Sequence, residues 1–583
     1  MPLIKSKLLK HISASFIFLG LSIYLTFPLV LNLNTYIPGL VDELYITWIL
    51  NWNIHAITTN IFSLFQGNTF YPFNNSISFS DPHLSSSLIA LIPVFIFEEP
   101  IVAYTFNFLL SFGLLGFSTY LLVYFLTKDF FSSFSSGVVF GFSTHFLLKL
   151  GQLQVLTIYW IPLSLLCYFA FIKSGKFKYF LLTIFFFYLQ FINSFQPAYF
   201  LLLVLISITI LEIVKGRQKI RFFINKKTAL SILFVTALCI PIILPYYETS
   251  KTFNYTRDIR EAIHTANRPE HFFLNLGRSH IGPFFNTLLY QNPGIFIYDG
   301  YRGFAHILLT FIVLGYTILK KGRSVPRYFM LFIGVGLSTY IISLGPALQF
   351  GGKVIKEPFL IPLPYSILYY IAPGFNGFRN SGRWELYEML AFCIAIGIFL
   401  STILRKRKLL KISVNILICI IVIAEFTFPI VFEKVKPKNE IPDVYNFLKE
   451  APNDTVMAEF PIYNWDMAPY AQEENMRLYY STFHFKRTVN GAAGFSPPPW
   501  QELVTDLASS FPKYDSVDRL KKLGVNYIVV HENEFDILNK NNFSVKGYSI
   551  PNSKVVKNML SENVNVEFIE RFNNKDSVYK LTY

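Results

Sequence analysis

Long apolar runs separated by short polar loops occupy most of the chain up to residue 431. An apolar run of about 20 residues is long enough to cross the hydrocarbon core of a bilayer as an α-helix. The pattern therefore predicts a mainly α, polytopic transmembrane bundle of about 11–12 helices. Eleven runs are predicted as spans: 12–32, 101–126, 132–149, 155–172, 179–193, 197–214, 229–247, 304–319, 327–345, 385–404 and 411–431.

Basic residues in the loops predict the topology, because cytoplasmic loops carry an excess of Lys and Arg. Such clusters occur at the N-terminus and at 173–178, 215–227, 320–327 and 405–411. If all are cytoplasmic, an even number of spans precedes residue 173. We therefore predict that the shorter apolar run 84–97 does not cross the membrane fully. The N-terminus is then cytoplasmic, and four segments lie outside: 33–83, 248–303, 346–384 and 432–583.

The C-terminal tail has the pattern of a soluble α/β domain. Alternating helices and strands of ordinary length favour this class. Gly524 is a predicted C-cap. The chain is thus divided into a transmembrane domain, 1–434, and an extracytoplasmic domain, 435–583. Helices are predicted at 442–450 and 516–523, and strands at 455–460, 478–485, 526–531 and, as a final pair, within 563–583.

Composition narrows the class of protein further. The chain is 53% hydrophobic and only 15% charged, whereas soluble proteins are about 25% charged. The net charge of +15 does not indicate a nucleic-acid partner, because the basic residues lie in short loops that set topology and contact lipid. We therefore expect a multi-pass plasma-membrane protein. Four cysteines, all within apolar runs, are predicted to be buried thiols rather than disulfides or metal ligands: Cys167, Cys239, Cys393 and Cys419.

Carboxylates near the outer membrane surface are the first candidates for chemistry. Asp42 and Glu43 follow the first span, at the start of a segment whose Trp48 and Trp52 suit an interfacial amphipathic helix. A carboxylate there can serve as a general base or simply cap the helix. Asp81 returns to the same boundary with His83. Asp42 and Asp81 are therefore predicted to converge, as base and orienter or as oxygen ligands of one divalent ion.

Arginines outside the cytoplasm form the second set of candidates. Arg379 and Arg383 lie four residues apart before a predicted span, and Arg257 and Arg260 lie in the preceding outer segment. The planar guanidinium binds phosphate through paired N–H groups. Ion pairs with lipid headgroups or with the C-terminal domain are the alternative. Gln152, at the outer end of a span, is predicted to bind sugar hydroxyls or to cap a helix.

Several segments, taken in order, resemble a known family. They are the Asp-Glu pair after the first span, YPFNNSISFSDPH, PGFNGFRNSGRWE, YYSTFHFKRTVNGAAGF and LKKLGVNYIVVH. With the membrane bundle and the C-terminal domain, they resemble the GT-C superfamily of membrane glycosyltransferases, and more narrowly bacterial GT-C-like or YfhO-like proteins. The narrower group often has His where this chain has Gln152.

The resemblance implies a specific chemistry. It implies that Asp42, with Glu43 beside it, acts as the base in the first outer loop, and that Asp81 matches a second polar position. The implied donor is a sugar linked to polyprenyl phosphate, with Arg379, Arg383, Arg257, Arg260, His83 and Gln152 as substrate-binding residues. A divalent cation, Mg²⁺ or Mn²⁺, would bind at Asp42 and Asp81. Sugar would pass, with inversion, to a glycan, lipid or protein acceptor outside the cytoplasm.

Two other functions fit the same pattern. One is a flippase or transporter of lipid-linked sugars, which usually shows repeat symmetry and broken helices at mid-membrane. The other is a non-catalytic envelope assembly protein with the tail as a binding module. The aromatic stretch from Tyr479 to Phe485 suggests that the tail captures an acceptor.

Overall fold

A computed structural model describes residues 2–215, 225–273, 300–319, 326–351, 353–356, 360–426, 430–467 and 470–582. The basic clusters predicted at 215–227 and 320–327 lie mostly outside these residues, as does 274–299 of the outer segment 248–303. The described chain is mainly helical. This confirms the predicted fold class.

Seven helices among the described residues are long and apolar enough to cross a membrane, as a polytopic membrane protein requires. Four shorter apolar helices accompany them: Leu84–Phe97, Phe177–Phe191, Phe304–Leu319 and Tyr328–Ser343. The seven candidate spans are Leu8–Leu25, Val102–Thr127, Leu153–Ser174, Phe195–Val214, Lys226–Phe253, Ser381–Ile403 and Lys408–Phe426.

The predicted span 132–149 is wrong as a single helix. The structure has a 12-residue helix, Phe130–Gly141, and then a separate four-residue helix, Thr144–Leu147. The helices separate around Ser143, whose hydroxyl donates to the Arg302 carbonyl at 2.7 Å. Hydropathy predicts one continuous helix here, whereas the structure has two helices on either side of a residue that bonds to another segment of the chain.

Glycines let helix Phe130–Gly141 approach helix Val102–Thr127 closely. A methyl group on Gly141 would lie 2.4 Å from the backbone nitrogen of Gly116 in helix Val102–Thr127. One on Gly137 would lie 2.4 Å from the Gly116 carbonyl oxygen. Membrane helices pack in this way where small residues face one another.

The C-terminal residues form a mixed five-stranded sheet. Its strands are β1 (Val456–Phe460), β2 (Arg487–Thr488), β3 (Tyr527–His531), β4 (Val566–Phe572) and β5 (Asp576–Leu581). Their order is β4-β5-β3-β1-β2. Strand β1 is parallel to both β2 and β3, whereas β5 is antiparallel to β3 and β4. Helices flank the sheet at Asp443–Glu450, Glu473–Ser481, Pro498–Ser510, Tyr514–Lys522, Glu532–Lys540 and Ser553–Ser561.

Most elements predicted in the tail are present. Strands β1 and β3, the final strand pair and both helices are confirmed. Gly524 follows helix Tyr514–Lys522 with φ +81°, as the predicted cap requires. The strand predicted at 478–485 is wrong, because the first half of this segment belongs to helix Glu473–Ser481 and the rest is turn and irregular structure. That helix packs against helix Asp42–Thr59, and this long-range contact overrides the local β-propensity.

The predicted interfacial helix forms at Asp42–Thr59, but most of it is buried by protein rather than lying on a lipid surface. Its indole groups are satisfied internally. Trp48 Nε1 donates to Asn68 Oδ1 at 2.8 Å, and Trp52 Nε1 donates to the Leu64 carbonyl at 3.1 Å. The amphipathic surface helix is therefore a wrong prediction, although the helix itself is confirmed.

Contacts divide the described chain into two compact units. The membrane unit comprises residues 1–31, 108–241 and 255–430, and the second unit comprises 32–107, 242–254 and 431–583. In the second unit, Tyr36–Ile37 pairs antiparallel with Glu433–Lys434. The first outer loop thus packs with the C-terminal domain, and the division at 434/435 stays a prediction.

The remaining elements complete the chain. Helices lie at Pro2–Leu25, Leu153–Leu156, Trp160–Ser174, Phe195–Lys215, Ile259–His264, Arg327–Ser343, Pro364–Ile371 and Glu385–Ile403. Two-residue strands lie at Gln349–Phe350, Lys353–Val354, Ser544–Val545 and Tyr548–Ser549.

Candidate functional site

Asp42 is the first residue of helix Asp42–Thr59, and its side chain is exposed. The N-cap position belongs to Val41 and makes no side-chain capping bond. The helix-cap alternative for Asp42 is therefore not what the structure has. A carboxylate in the first helical turn still lies at the positive end of the helix dipole, which favours its ionised form.

Tyr45 lies within electrostatic range of both Asp42 and Asp81. Its side chain is buried, and its hydroxyl lies against Ser80 and the backbone of Gly494. Burial raises the pKa of Tyr45; the Ser80 contact lowers it, and the charges of Asp42 and Asp81 raise it further. The convergence of Asp42 and Asp81 stays a prediction.

The loop that carries Asp81 is held by polar side chains of the second unit. Asn53 Nδ2 donates to the Pro82 carbonyl at 2.8 Å and to Ser87 Oγ at 3.0 Å. Tyr246 donates from its hydroxyl to the Ser80 carbonyl at 2.7 Å. These bonds fix the backbone on both sides of Asp81.

Glu43 is less suited to contact a substrate than Asp42. Its side chain is only 7% exposed, and a carboxylate oxygen accepts from the Val41 backbone N–H at 3.3 Å. Burial raises the pKa of Glu43, and the charge of Asp42 raises it further against the lowering effect of backbone hydrogen bonds. We therefore place Asp42 ahead of Glu43 as the base.

His83 also lies inside the protein. It is 1% exposed, and its backbone has φ +51° immediately before helix Leu84–Phe97. Its carbonyl accepts from the backbone N–H and the hydroxyl of Ser87. The substrate contact predicted for His83 requires an opening that its burial does not provide.

A loop of the C-terminal domain completes the surroundings of Tyr45. Asn490, just after β2, accepts from the Phe70 backbone N–H at 3.0 Å through its carbonyl. Phe495 N–H donates to the Phe79 carbonyl at 3.0 Å. The segment 490–495, part of the family-like sequence VNGAAGF, therefore lies beside the loop that carries Asp81.

The membrane unit contains the predicted cationic residues. Arg383 Nη1 donates to Gln196 Oε1 at 2.9 Å, and Arg383 Nη2 donates to Gln152 Oε1 at 3.4 Å. The structure thus brings Arg383 and Gln152 together, as two of the predicted substrate-binding residues. These two partners are neutral amides, so they orient the guanidinium without cancelling its charge.

The other predicted arginines have different surroundings. Arg379 is exposed. Arg257 lies 3.2 Å from Glu261 and over the ring of Tyr255. Arg260 is 81% exposed and lies 2.7 Å from Asp258. The local carboxylates reduce the charge that Arg257 and Arg260 can offer to a phosphate.

A buried ionisable cluster in the membrane unit was missed from the sequence. Arg302 lies 2.9 Å from Glu388 and 3.2 Å from Glu385, and His145 lies 3.1 Å from Glu385. All four side chains are at most 4% exposed. The available signal was their place inside or at the ends of apolar runs, where ionisable residues are uncommon and often functional.

No group of three or more His, Cys, Asp or Glu side chains converges as a metal site within the described ranges. The divalent cation site at Asp42 and Asp81 stays a prediction.

No model of a known protein family matches the sequence, and no curated protein matches it either. Solved structures do match. Arabinofuranosyltransferase AftD from Mycobacteria aligns with a TM-score of 0.54 at 10% identity, over 98% of this chain and 41% of AftD. This chain therefore spans less than half of the length of AftD.

Two further structures align over almost the whole chain. The oligosaccharyltransferase AglB from Archaeoglobus fulgidus, solved with an inhibitory peptide and a dolichol-phosphate, is 12% identical over 96% of this chain and 72% of its own, with a TM-score of 0.47. ArnT from Cupriavidus metallidurans is 9% identical over 99% and 98%, with a TM-score of 0.33.

The likeness to AftD is one of fold, since its sequence identity is low. It agrees with the resemblance carried by the sequence motifs, and with a helical membrane bundle that has an α/β C-terminal domain. The comparison shows that this membrane protein shares the fold of AftD over almost its whole length.

Proposed function

We propose that this protein is an inverting membrane glycosyltransferase that transfers a sugar from a polyprenyl-phosphate donor to an acceptor outside the cytoplasm. The observation that carries the proposal is the exposed Asp42 carboxylate at the start of helix Asp42–Thr59, in the same compact unit as Asp81, in a chain with the GT-C fold. A structure with this fold bears the name of an arabinofuranosyltransferase, which supports sugar transfer as the reaction class.

Asp42 is the proposed general base. A hydroxyl is a weak nucleophile until a positioned base removes its proton in the transition state. The Asp42 carboxylate takes the proton from the acceptor hydroxyl, and the oxygen forms a bond to the anomeric carbon. The bond from that carbon to the phosphate oxygen breaks, and its electron pair leaves with the lipid phosphate. Attack opposite the leaving group inverts the anomeric centre.

Asp81 has a positioning role in this proposal. The charges of Asp81 and Asp42 both raise the pKa of the buried Tyr45 hydroxyl, and hydrogen bonds from Asn53 and Tyr246 hold the backbone on both sides of Asp81. A divalent cation bound by Asp42 and Asp81 would add positive charge where the phosphate leaves. The proton transfer to Asp42 does not depend on that cation.

Arg383 is the proposed contact for the donor phosphate. Its hydrogen-bond partners Gln152 and Gln196 are uncharged, so its positive charge is available to an anionic ligand. Stabilising the charge that develops on the leaving phosphate lowers the barrier to its departure. Arg379 and Arg257 are second choices, and Arg260 is last because Asp258 pairs with it.

Sugar transfer by the purified full-length protein in lipid nanodiscs tests the proposal. A panel of polyprenyl-phosphate sugars serves as donors, and lipid-phosphate release is measured with Asp42→Asn beside the wild type. We expect a loss of about 10²–10⁴-fold in turnover, the range for removing a general acid or base.

Asp515→Asn is the matched control. Asp515 is exposed in helix Tyr514–Lys522 of the C-terminal domain, and the same chemical change there should leave turnover within about twofold. Equal turnover by wild type and a folded Asp42→Asn protein would remove Asp42 from the mechanism. In sealed proteoliposomes, donor movement across the bilayer without release of lipid phosphate would favour the flippase instead.

A further inference from the structure

Trp465 is the most exposed of the six tryptophans. Its side chain is 43% exposed, whereas Trp48, Trp52, Trp384 and Trp500 are buried and Trp160 is half-buried. An exposed indole by itself is ordinary at a protein surface. Its attachment and its neighbours distinguish Trp465.

The indole of Trp465 is fixed in place. Nε1 donates to the Ala493 carbonyl at 3.2 Å. The short helix Trp465–Met467 is held by Asn464, whose Oδ1 accepts from the Asp466 backbone N–H at 3.0 Å and whose Nδ2 donates to Thr505 Oγ1 at 2.9 Å. A ring whose polar edge is bound keeps its apolar face available at a low entropic cost.

The attachment point lies in a loop that contacts the segment carrying Asp81. Ala493 precedes Gly494, which lies beside Phe79 and Ser80, and Ser80 directly precedes Asp81. Trp465 is therefore attached to the same short loop that contacts the Asp81 segment. All of these residues belong to the second unit.

The loop that contains Ala493 has only small side chains. Its residues from Gly491 to Gly494 have at most a methyl side chain. A methyl group on Gly494 would first meet the Phe79 carbonyl oxygen at 3.6 Å and Ser80 Oγ at 3.9 Å.

The aromatic stretch suggested by the sequence does not offer such a surface. Tyr479 and Tyr480 are buried, and their rings lie 5.6 Å apart. Phe485 stacks on His55 with ring centroids 4.1 Å apart. These rings pack inside the unit, which leaves Trp465 as the exposed indole beside the loop.

We propose that Trp465 is the platform on which an acceptor sugar stacks, and that the acceptor is therefore a carbohydrate chain. The proposal rests on the glycosyltransferase function above and names the acceptor class for that site. Sugar rings present C–H faces that pack on an indole, while their hydroxyls bond to polar groups at the rim. Asp466, exposed beside Trp465, is one such group.

Binding of the full-length protein in nanodiscs to a printed array of microbial envelope glycans tests the inference without any donor. Four proteins are compared: wild type, Trp465→Ala, Trp465→Phe and Tyr514→Ala. Tyr514 is 59% exposed on another surface helix of the same domain. We expect wild type to bind a subset of glycans, Trp465→Ala to bind them at least about tenfold more weakly, and the other two variants to stay within about threefold.

The outcomes separate this inference from the proposed transfer. Glycan binding that Trp465→Ala leaves unchanged, or wild-type protein that binds no glycan on the array, overturns the role of Trp465. Loss of binding in Trp465→Ala with binding retained in Trp465→Phe supports it, and the Phe variant also shows that the fold tolerates a change at this position. Failure of lipid-phosphate release, measured separately, concerns the proposed transfer and not the glycan contact.

Discussion

Arg302 Nε donates to Glu388 Oε2 at 2.9 Å, and both side chains are at most 1% exposed. Arg302 also lies 3.2 Å from Glu385. Glu388 belongs to a helix long and apolar enough to span a membrane. Removing one member of a buried ion pair leaves the other charge without compensation, which is far costlier than replacing both.

The first prediction concerns this pair. Arg302→Met should lower the free energy of unfolding by about 3–5 kcal/mol, because Glu388 loses its cationic partner. The double variant Arg302→Met/Glu388→Met should recover part of that loss, because the uncompensated Glu388 is removed while Glu385 keeps His145 as a partner. Thermal unfolding of wild type, Arg302→Met, Glu388→Met and the double variant in one detergent measures the coupling energy between the two side chains. Strictly additive single effects would contradict a direct interaction.

The second prediction uses the glycine contact between two membrane helices. Gly141→Ala should destabilise the protein by about 1–3 kcal/mol, because its methyl group would lie 2.4 Å from backbone that has no room to move. Gly334→Ala is the matched control in helix Arg327–Ser343, where no atom lies within 4 Å of the added methyl group. We expect the control to be neutral or slightly stabilising. Thermal unfolding of both variants measures the change in stability. Similar losses of stability in the two variants would show that the destabilisation does not come from the contact with Gly116.

The third prediction concerns pH and the C-terminal domain. His531 Nδ1 lies 2.8 Å from Asp576 Oδ1, and Nε2 lies 3.0 Å from Glu459 Oε2. Burial alone would lower the pKa of His531, but the hydrogen bonds to Asp576 and Glu459 raise it from 6.5 to about 10. The folded protein therefore holds this proton more tightly than the unfolded chain. The resulting stability is fully present below about pH 6.5 and is lost as the pH rises through about 10.

The measurement is the melting temperature from pH 6 to about pH 10.5. His531→Asn should melt at a lower temperature than wild type near pH 7, and the difference should shrink as the pH approaches 10. His264→Asn, at an exposed position, is the control and should leave the profile of the wild type unchanged. A difference in melting temperature between wild type and His531→Asn that stays constant with pH would show that a protonated His531 is not the source of this stability.

The fourth prediction ranks the arginines. Arg383→Gln should raise the KM for a polyprenyl-phosphate sugar by about tenfold or more, because a charge held by two neutral amides is removed. Arg260→Gln should change KM by less than about twofold, because Arg260 is 81% exposed and paired with Asp258. Donor titrations in nanodiscs at fixed salt provide both values. A larger rise in KM for Arg260→Gln than for Arg383→Gln would indicate that Arg260, and not Arg383, contacts the donor phosphate.

Several features were predictable from the sequence because they depend on local pattern alone. A long apolar run can satisfy its backbone inside a membrane only as a helix, so most spans follow directly. Strand β3 and the final pair of strands have short apolar patterns bounded by turn residues. The positions of Asp42 and Asp81 next to apolar runs were also visible, whereas their convergence stays a prediction.

Other features depended on partners far away in the chain. Apolar periodicity cannot distinguish a short strand from a buried helix, and contact with helix Asp42–Thr59 made Glu473–Ser481 helical. The break after Gly141 involves a hydroxyl bond to the Arg302 carbonyl.

The sequence by itself determined the membrane bundle, the α/β tail and the types of residue available for chemistry, because hydropathy and local turn signals act over a few neighbouring residues. Only the tertiary structure decided which of those residues are accessible and which charges are compensated. Asp42 is exposed whereas Glu43 is buried, and Arg383 has amide partners whereas Arg260 has a carboxylate. Burial and pairing are properties of distant segments packed together, and no local pattern encodes them.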